Sequence, residues 1–184
     1  AALPDRVDEA RHEIARAVDY AAAAGVEAVH VMAGRTDGGA AAEACFRENL
    51  NHACDLAAVH GIGILIEPIN TRDVVRYHLS DTAHAERIID ELARPELKIM
   101  FDCYHMQIMQ GDLAKTLERL LPKIGHIQIA AVPDRGEPDR GEVDYQWLLS
   151  HLTGLGYQGF IGAEYQPRDK TETGLNWMAQ LKSG

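Results

Sequence analysis

Four oxygen-bearing side chains fall at or near the far ends of apolar runs in this sequence. Gly61-Ile62-Gly63-Ile64-Leu65-Ile66 runs into Glu67, and Leu97-Lys98-Ile99-Met100-Phe101 runs into Asp102. Gln128 lies within His126-Ile127-Gln128-Ile129-Ala130, and Gly159-Phe160-Ile161-Gly162-Ala163 ends on Glu164. Runs of this kind read as strands buried on both faces, as in a parallel sheet covered by helices. A carboxylate left dry and unpaired there costs several kcal/mol, so it belongs at a solvent-filled mouth or on a cation. One acidic residue at a strand end is ordinarily a loop starter, but four oxygen donors in phase on successive strands point to a site. Three carboxylates converging on one mouth repel one another without a cation between them. An oxygen-rich set of this charge selects a hard divalent ion such as Mg²⁺ or Mn²⁺.

Two further groups could contact a substrate. His105 follows Asp102 by three residues, just beyond its strand. Arg35 and Arg135 are the basic candidates for holding an anion, because a guanidinium meets a carboxylate in bidentate fashion. Arg135 falls in the long loop after Gln128, where clamps and lids are commonly found.

The elements that must position these residues alternate. A helix over 5–24 is expected, with Asp5 as N-cap and a stripe of Val7, Ala10, Ile14, Ala17, Val18 and Ala21. A strand over 26–32 follows, closing on Ala33-Gly34-Arg35, and then a helix over 40–59 and the strand over 62–67. Ser80 or Asp81 caps a third helix, which Pro95 stops before the strand over 97–102. Asp112 caps a helix with Leu113, Leu117, Leu120 and Leu121. The strand over 126–130 leads through the loop to a helix capped by Asp144 and ended near Gly156. The strand over 159–164 precedes a last amphipathic helix bearing Leu175, Met178 and Leu181. Strict alternation without a hairpin signal argues for an all-parallel α/β sheet, whose sites lie at the carboxyl ends of the strands. Those ends read Arg35, Glu67, Asp102, Gln128 and Glu164.

Composition narrows the partners. With 184 residues, 46% of them hydrophobic and 25% charged, the chain suits one domain over 1–184 with a sizeable core. A formal net charge of −10 disfavours nucleic acid and anionic membranes, which need a basic patch. No apolar run approaches the roughly 18 residues of a membrane span. Cys45, Cys54 and Cys103 are odd in number and lack CxxC spacing, so a cytoplasmic location is the natural reading.

Several segments together resemble the hydroxypyruvate isomerase family of the xylose isomerase-like barrels. They are Val29-His30-Val31-Met32-Ala33-Gly34, Ile66-Glu67-Pro68-Ile69-Asn70, Phe101-Asp102-Cys103-Tyr104-His105, His126-Ile127-Gln128-Ile129-Ala130, Gly141-Glu142-Val143-Asp144-Tyr145 and Gly159-Phe160-Ile161-Gly162-Ala163-Glu164-Tyr165. The likeness covers essentially the whole chain, and Gln at the third ligand position is typical of this branch. It implies a (β/α) TIM-barrel-type fold and a divalent metal held by Glu67, Asp102, Gln128 and Glu164. Glu67 and Glu164 would double as the acid/base pair, with His105 and Arg135 contacting substrate. The implied reaction interconverts hydroxypyruvate and 2-hydroxy-3-oxopropanoate (tartronate semialdehyde), Arg135 holding the substrate carboxylate. It requires removal of a proton beside a carbonyl, stabilisation of an enediolate and return of the proton to the neighbouring carbon. Two carboxylates can carry that proton, and a Lewis-acidic ion can stabilise the negative charge.

By the same resemblance, the first strand here matches the family's fourth. A complete barrel has eight strands and about 250 residues, so the expectation is a partial barrel retaining five of eight, truncated at the N-terminus. Two alternatives stay open: a truncated isomerase with its ligand set and impaired turnover, or a chain that completes itself as a homo-oligomer or with a separate N-terminal piece. Rival functions are an isomerase or epimerase of another oxo-acid, such as a four-carbon 2-oxo-tetronate, and a non-catalytic interaction module. A DNA-repair endonuclease of the same superfamily would need histidine zinc ligands and a basic face, against which Gln128 and the net charge both count.

Overall fold

The computed structural model describes residues 1–181. Contacts divide the chain into two compact units, Ala1–Met100 and a second that begins at Phe101. The division falls inside the strand that ends on Asp102.

In the first unit, Pro4–Arg6 form one 3-10 turn ahead of α1 (Val7–Ala24). The expected N-cap Asp5 therefore lies inside that turn, and Pro4, which has no N–H to leave unsatisfied, occupies its start. Ile14, Val18 and Ala21 form the buried face of α1, which ends where Gly25 turns left-handed at φ 68° and its N–H returns to Ala21 O. Then come β1 (Ala28–His30), α2 (Ala40–Ala58), β2 (Gly63–Ile66), α3 (Thr82–Leu92) and β3 (Leu97–Asp102). β1 is shorter than expected at both ends, so its carboxyl-terminal residue is His30 rather than Arg35. Arg35 is exposed and instead forms an isolated antiparallel bridge with Tyr77.

The strand pairs are parallel and in chain order. His30 is level with Leu65 across β1 and β2, and Ile66 with Ile99 across β2 and β3. α2 packs against both α1 and β2, and its Phe46, Leu50, Ala53, Cys54 and Ala57 are buried, as are Ile64 and Ile66 of β2. Asp81, not Ser80, caps α3 by accepting the His84 N–H at 2.7 Å.

In the second unit, α4 (Cys103–Met109) starts at once from the end of β3, at a place where no helix is expected from the periodicity. α5 (Leu113–Leu120) buries Leu113, Leu117 and Leu120. Asp112 precedes it as expected, but in a left-handed conformation (φ 46°) and with no side-chain cap. β4 (Ile124–Ile129) pairs in parallel with β5 (Ile161–Ala163), Gln128 level with Gly162. Between them α6 (Tyr145–Gly154) is capped by Asp144, which accepts the Trp147 N–H at 3.0 Å. The expected last helix divides into two short ones, α7 (Thr171–Gly174) and α8 (Trp177–Leu181). Among the described residues no helix is long and apolar enough to cross a membrane.

Leu50 is fully buried in α2 and Val59, just past its end, is 78% exposed. Leu50→Ala should lower the unfolding free energy by about 2–5 kcal/mol, and Val59→Ala should change it by less than about 0.5 kcal/mol. Equal shifts in denaturant midpoint for the two variants would contradict this packing.

Candidate active site

β3 delivers Asp102 fully buried. Its position between strand and helix divides its two oxygens. Oδ1 caps α4, accepting the Tyr104 N–H at 2.7 Å and the His105 N–H at 3.4 Å. Oδ2 is buried and has no hydrogen-bond partner among the described residues. His105 is as deeply buried, with Nε2 3.8 Å from Asp102 Oδ2. Burial pushes the Asp102 carboxyl up to about 6, against the opposing pull of the Tyr104 N–H and the Arg135 charge.

On β4, Gln128 also presents a buried oxygen, Oε1, without a hydrogen-bond partner among the described residues. A Cβ at Gly162 on the adjoining strand would crowd His126 Nε2 at 2.9 Å, whereas Gln128 Cγ at 3.6 Å would be in ordinary van der Waals contact. Glu164 follows the end of β5, and its Oε2 pairs with an Arg135 guanidinium nitrogen at 3.4 Å.

Arg135 is placed by its backbone as well as its charge. It takes a left-handed conformation at φ 55°, which costs a non-glycine residue about 1 kcal/mol or more. Its N–H donates to Ala131 O at 2.8 Å, and its carbonyl accepts from Gln166 N at 2.7 Å. The guanidinium carbon lies 5.2 Å from the centre of the Tyr104 ring, a cation–π distance.

The rest of the loop is anchored by Glu137. Its carboxylate accepts from the Arg168 backbone N–H at 3.1 Å and from Arg168 Nε at 2.6 Å. Burial would raise the Glu137 carboxyl, but hydrogen bonds from backbone groups and from Arg168 outweigh it, and the net shift is downward. The second unit thus brings together Asp102, His105, Arg135 and Glu164, with Gln128 on the strand beside β5.

In the first unit, Glu67 follows β2 and is 4% exposed. Its Oε2 lies 3.8 Å from Nε2 of His30. Burial lowers the His30 pKa to about 4, so the ring is neutral at pH 7. Tyr77 adjoins them. Its hydroxyl accepts the Ala33 N–H at 3.0 Å and is pushed up to about 12 by burial, with the Glu67 charge adding to the rise. His30 and Tyr77 escaped sequence reasoning. Ending the first strand at His30 would have exposed the first, while Tyr77 lies in an irregular loop with no periodic signal.

A divalent cation fits the donor chemistry. Among the described residues, Asp102 Oδ2 and Gln128 Oε1 are buried acceptors with no hydrogen-bond partner, a costly arrangement in a neutral interior. Both are oxygen atoms, the donors a hard ion prefers.

Parallel strands alternating with helices, with polar side chains at the strands' carboxyl ends, define a TIM-barrel-type enzyme. A family model described as the xylose isomerase-like TIM barrel matches residues 1–181, and the chain belongs to that family. It is an isomerase by its relatives. The chain is 46% identical to a 2-oxo-tetronate isomerase of Cupriavidus necator and 41% identical to a hydroxypyruvate isomerase of Escherichia coli. Each match takes in 97% of this chain and 70% of the relative. Among solved structures, one titled AP endonuclease, family 2, from Brucella melitensis superposes with a TM-score of 0.94 at 42% identity. That match covers 98% of this chain and 70% of the other.

Glu137→Gln should weaken the loop anchor and carry a defined pH signature. A carboxylate with a depressed folded pKa contributes stability above its unfolded value near 4.3, which is lost as pH falls through the folded value. The stability difference between the wild type and Glu137→Gln should therefore be constant from about pH 7 to 5 and narrow below about pH 4. Urea titrations at several pH values measure it, and a difference unchanged down to pH 3 would contradict the pairing.

Proposed function

We propose that the protein interconverts hydroxypyruvate and 2-hydroxy-3-oxopropanoate in a reaction dependent on a divalent cation, Mg²⁺ or Mn²⁺. Glu67, Asp102, Gln128 and Glu164 are the ligands in this reading. The observation that carries it is that two buried oxygens, Asp102 Oδ2 and Gln128 Oε1, have no hydrogen-bond partner among the described residues. Supporting it are the matching names of the relatives and the deep burial of Glu67 after β2.

When bound, such an ion would supply Lewis-acid stabilisation of the negative charge that develops on substrate oxygen. The chain's residues do the rest. Glu67 and Glu164 take a proton from one carbon and return a proton to its neighbour, each contributing about 10²- to 10⁴-fold. Arg135 holds the substrate carboxylate, for which its pairing with the carboxylate of Glu164 is a precedent in kind. His105, beside Asp102, contacts the substrate's polar end. No nucleic acid enters this reading, because the net charge of −10 repels a phosphate backbone.

A four-carbon 2-oxo-tetronate is the second reading, favoured by the higher identity to the Cupriavidus necator enzyme. The ligands and proton carriers are the same, and only the length of the accommodated chain differs. The ratio of kcat/KM for the three- and four-carbon acids decides between the two readings.

Chelation should abolish activity, and Mg²⁺ or Mn²⁺ should restore it. Glu67→Gln and Glu164→Gln should each lower kcat by about 10²-fold or more. Full activity in both variants would exclude the assigned proton carriers, and activity surviving chelation would exclude the cation.

A further inference from the structure

A second group of metal-binding side chains lies wholly within the first unit and takes no part in the proposed reaction. Glu43 stands in the first turn of α2, His84 in the first turn of α3, and His78 in the loop before α3. Glu43 Oε2 is 2.8 Å from His84 Nε2 and 3.1 Å from His78 Nε2. One ligand atom from each of the three residues lies within 4.8 Å of the others. Ligands bound at about 2.0–2.2 Å and subtending 90–110° at an ion are themselves about 3 Å apart, which matches both measured edges.

The surroundings favour the same reading. His78 Nδ1 is 3.0 Å from Thr36 Oγ1, the outer hydrogen bond that fixes a ligating imidazole's tautomer and leaves Nε2 facing inward. Arg47 Nε donates to the other Glu43 oxygen, Oε1, at 2.7 Å, turning Oε2 toward the two rings. The side chains of His78 and His84 are 5% and 15% exposed, whereas Glu43 at 29% leaves a path from solvent.

We propose that Glu43, His78 and His84 form a second divalent-metal site, of the borderline class typified by Zn²⁺. Two imidazoles and one carboxylate suit Zn²⁺ better than Mg²⁺. In the metal-free protein each ring can hydrogen-bond to Glu43 through Nε2. On binding, a neutral ring's proton shifts from Nε2 to Nδ1 with no net release, so that the Nε2 lone pair faces the ion, and the ion ties the start of α2 to the start of α3. This site is independent of the cation proposed for the isomerisation.

The test is titration of the metal-free full chain with Zn²⁺, in a Glu67→Gln/Asp102→Asn background that weakens the other candidate site. Isothermal titration should give one equivalent, and adding His84→Gln, which keeps an amide donor toward Glu43, should weaken it by about tenfold or more. Nitrogen-15 imidazole spectra of the otherwise unmutated chain supply a readout that does not depend on a variant's folding. The Nε2 resonances of His78 and His84 should shift on addition of Zn²⁺. Unchanged His78 and His84 resonances, or equal affinity with and without His84→Gln, would overturn the site.

Discussion

Asp102 is a carboxylate removed from water at the point where a strand becomes a helix, and the second unit is arranged about that constraint. One oxygen is committed to the first N–H groups of α4, which fixes where the helix begins and therefore where Tyr104 and His105 lie. The other oxygen is buried and has no hydrogen-bond partner among the described residues. Burial raises its pKa, and the nearby Arg135 charge opposes the rise only in part. An isolated negative charge in such a place is strongly disfavoured. A protein retains one where a cation or a proton is to be managed.

Around that residue the scaffold limits movement. Arg135 is held by its carbonyl and N–H, its ring contact with Tyr104 and its pairing with Glu164. The loop that carries it is fastened by Glu137 to Arg168. A guanidinium so restrained would lose little conformational freedom on pairing with an anion, the general advantage of preorganisation. In the first unit, Glu67 is likewise restrained, with neutral His30 on one side and Tyr77 nearby.

Much of this was legible in the sequence, because unbroken apolar runs with parallel-sheet character end on residues that cannot be buried cheaply. The strand over 97–102 came out with its observed bounds, and Asp144 as a cap was evident from its place before an apolar helix. Membership of the xylose isomerase-like TIM barrel family, read from six short segments, agrees with the family match over residues 1–181. What escaped notice had physical causes. α4 is seven residues long and nearly all apolar on its first turn, so it lacks the polar face that reveals a surface helix. Its cap is Asp102, already assigned to the strand. β1 is three residues long, and the apolar residues beyond it carried the expected strand too far and hid His30 as its end. Glu43, His78 and His84 are separated by up to 41 residues, and no spacing rule brings them together before the fold does.

The account depends most on a cation at Asp102 Oδ2 and Gln128 Oε1. Anomalous diffraction from crystals grown with Mn²⁺ tests this directly. The account predicts a peak about 2.0–2.6 Å from both oxygens. Anomalous density elsewhere, with Asp102 Oδ2 and Gln128 Oε1 instead hydrogen-bonded to donors, would contradict it.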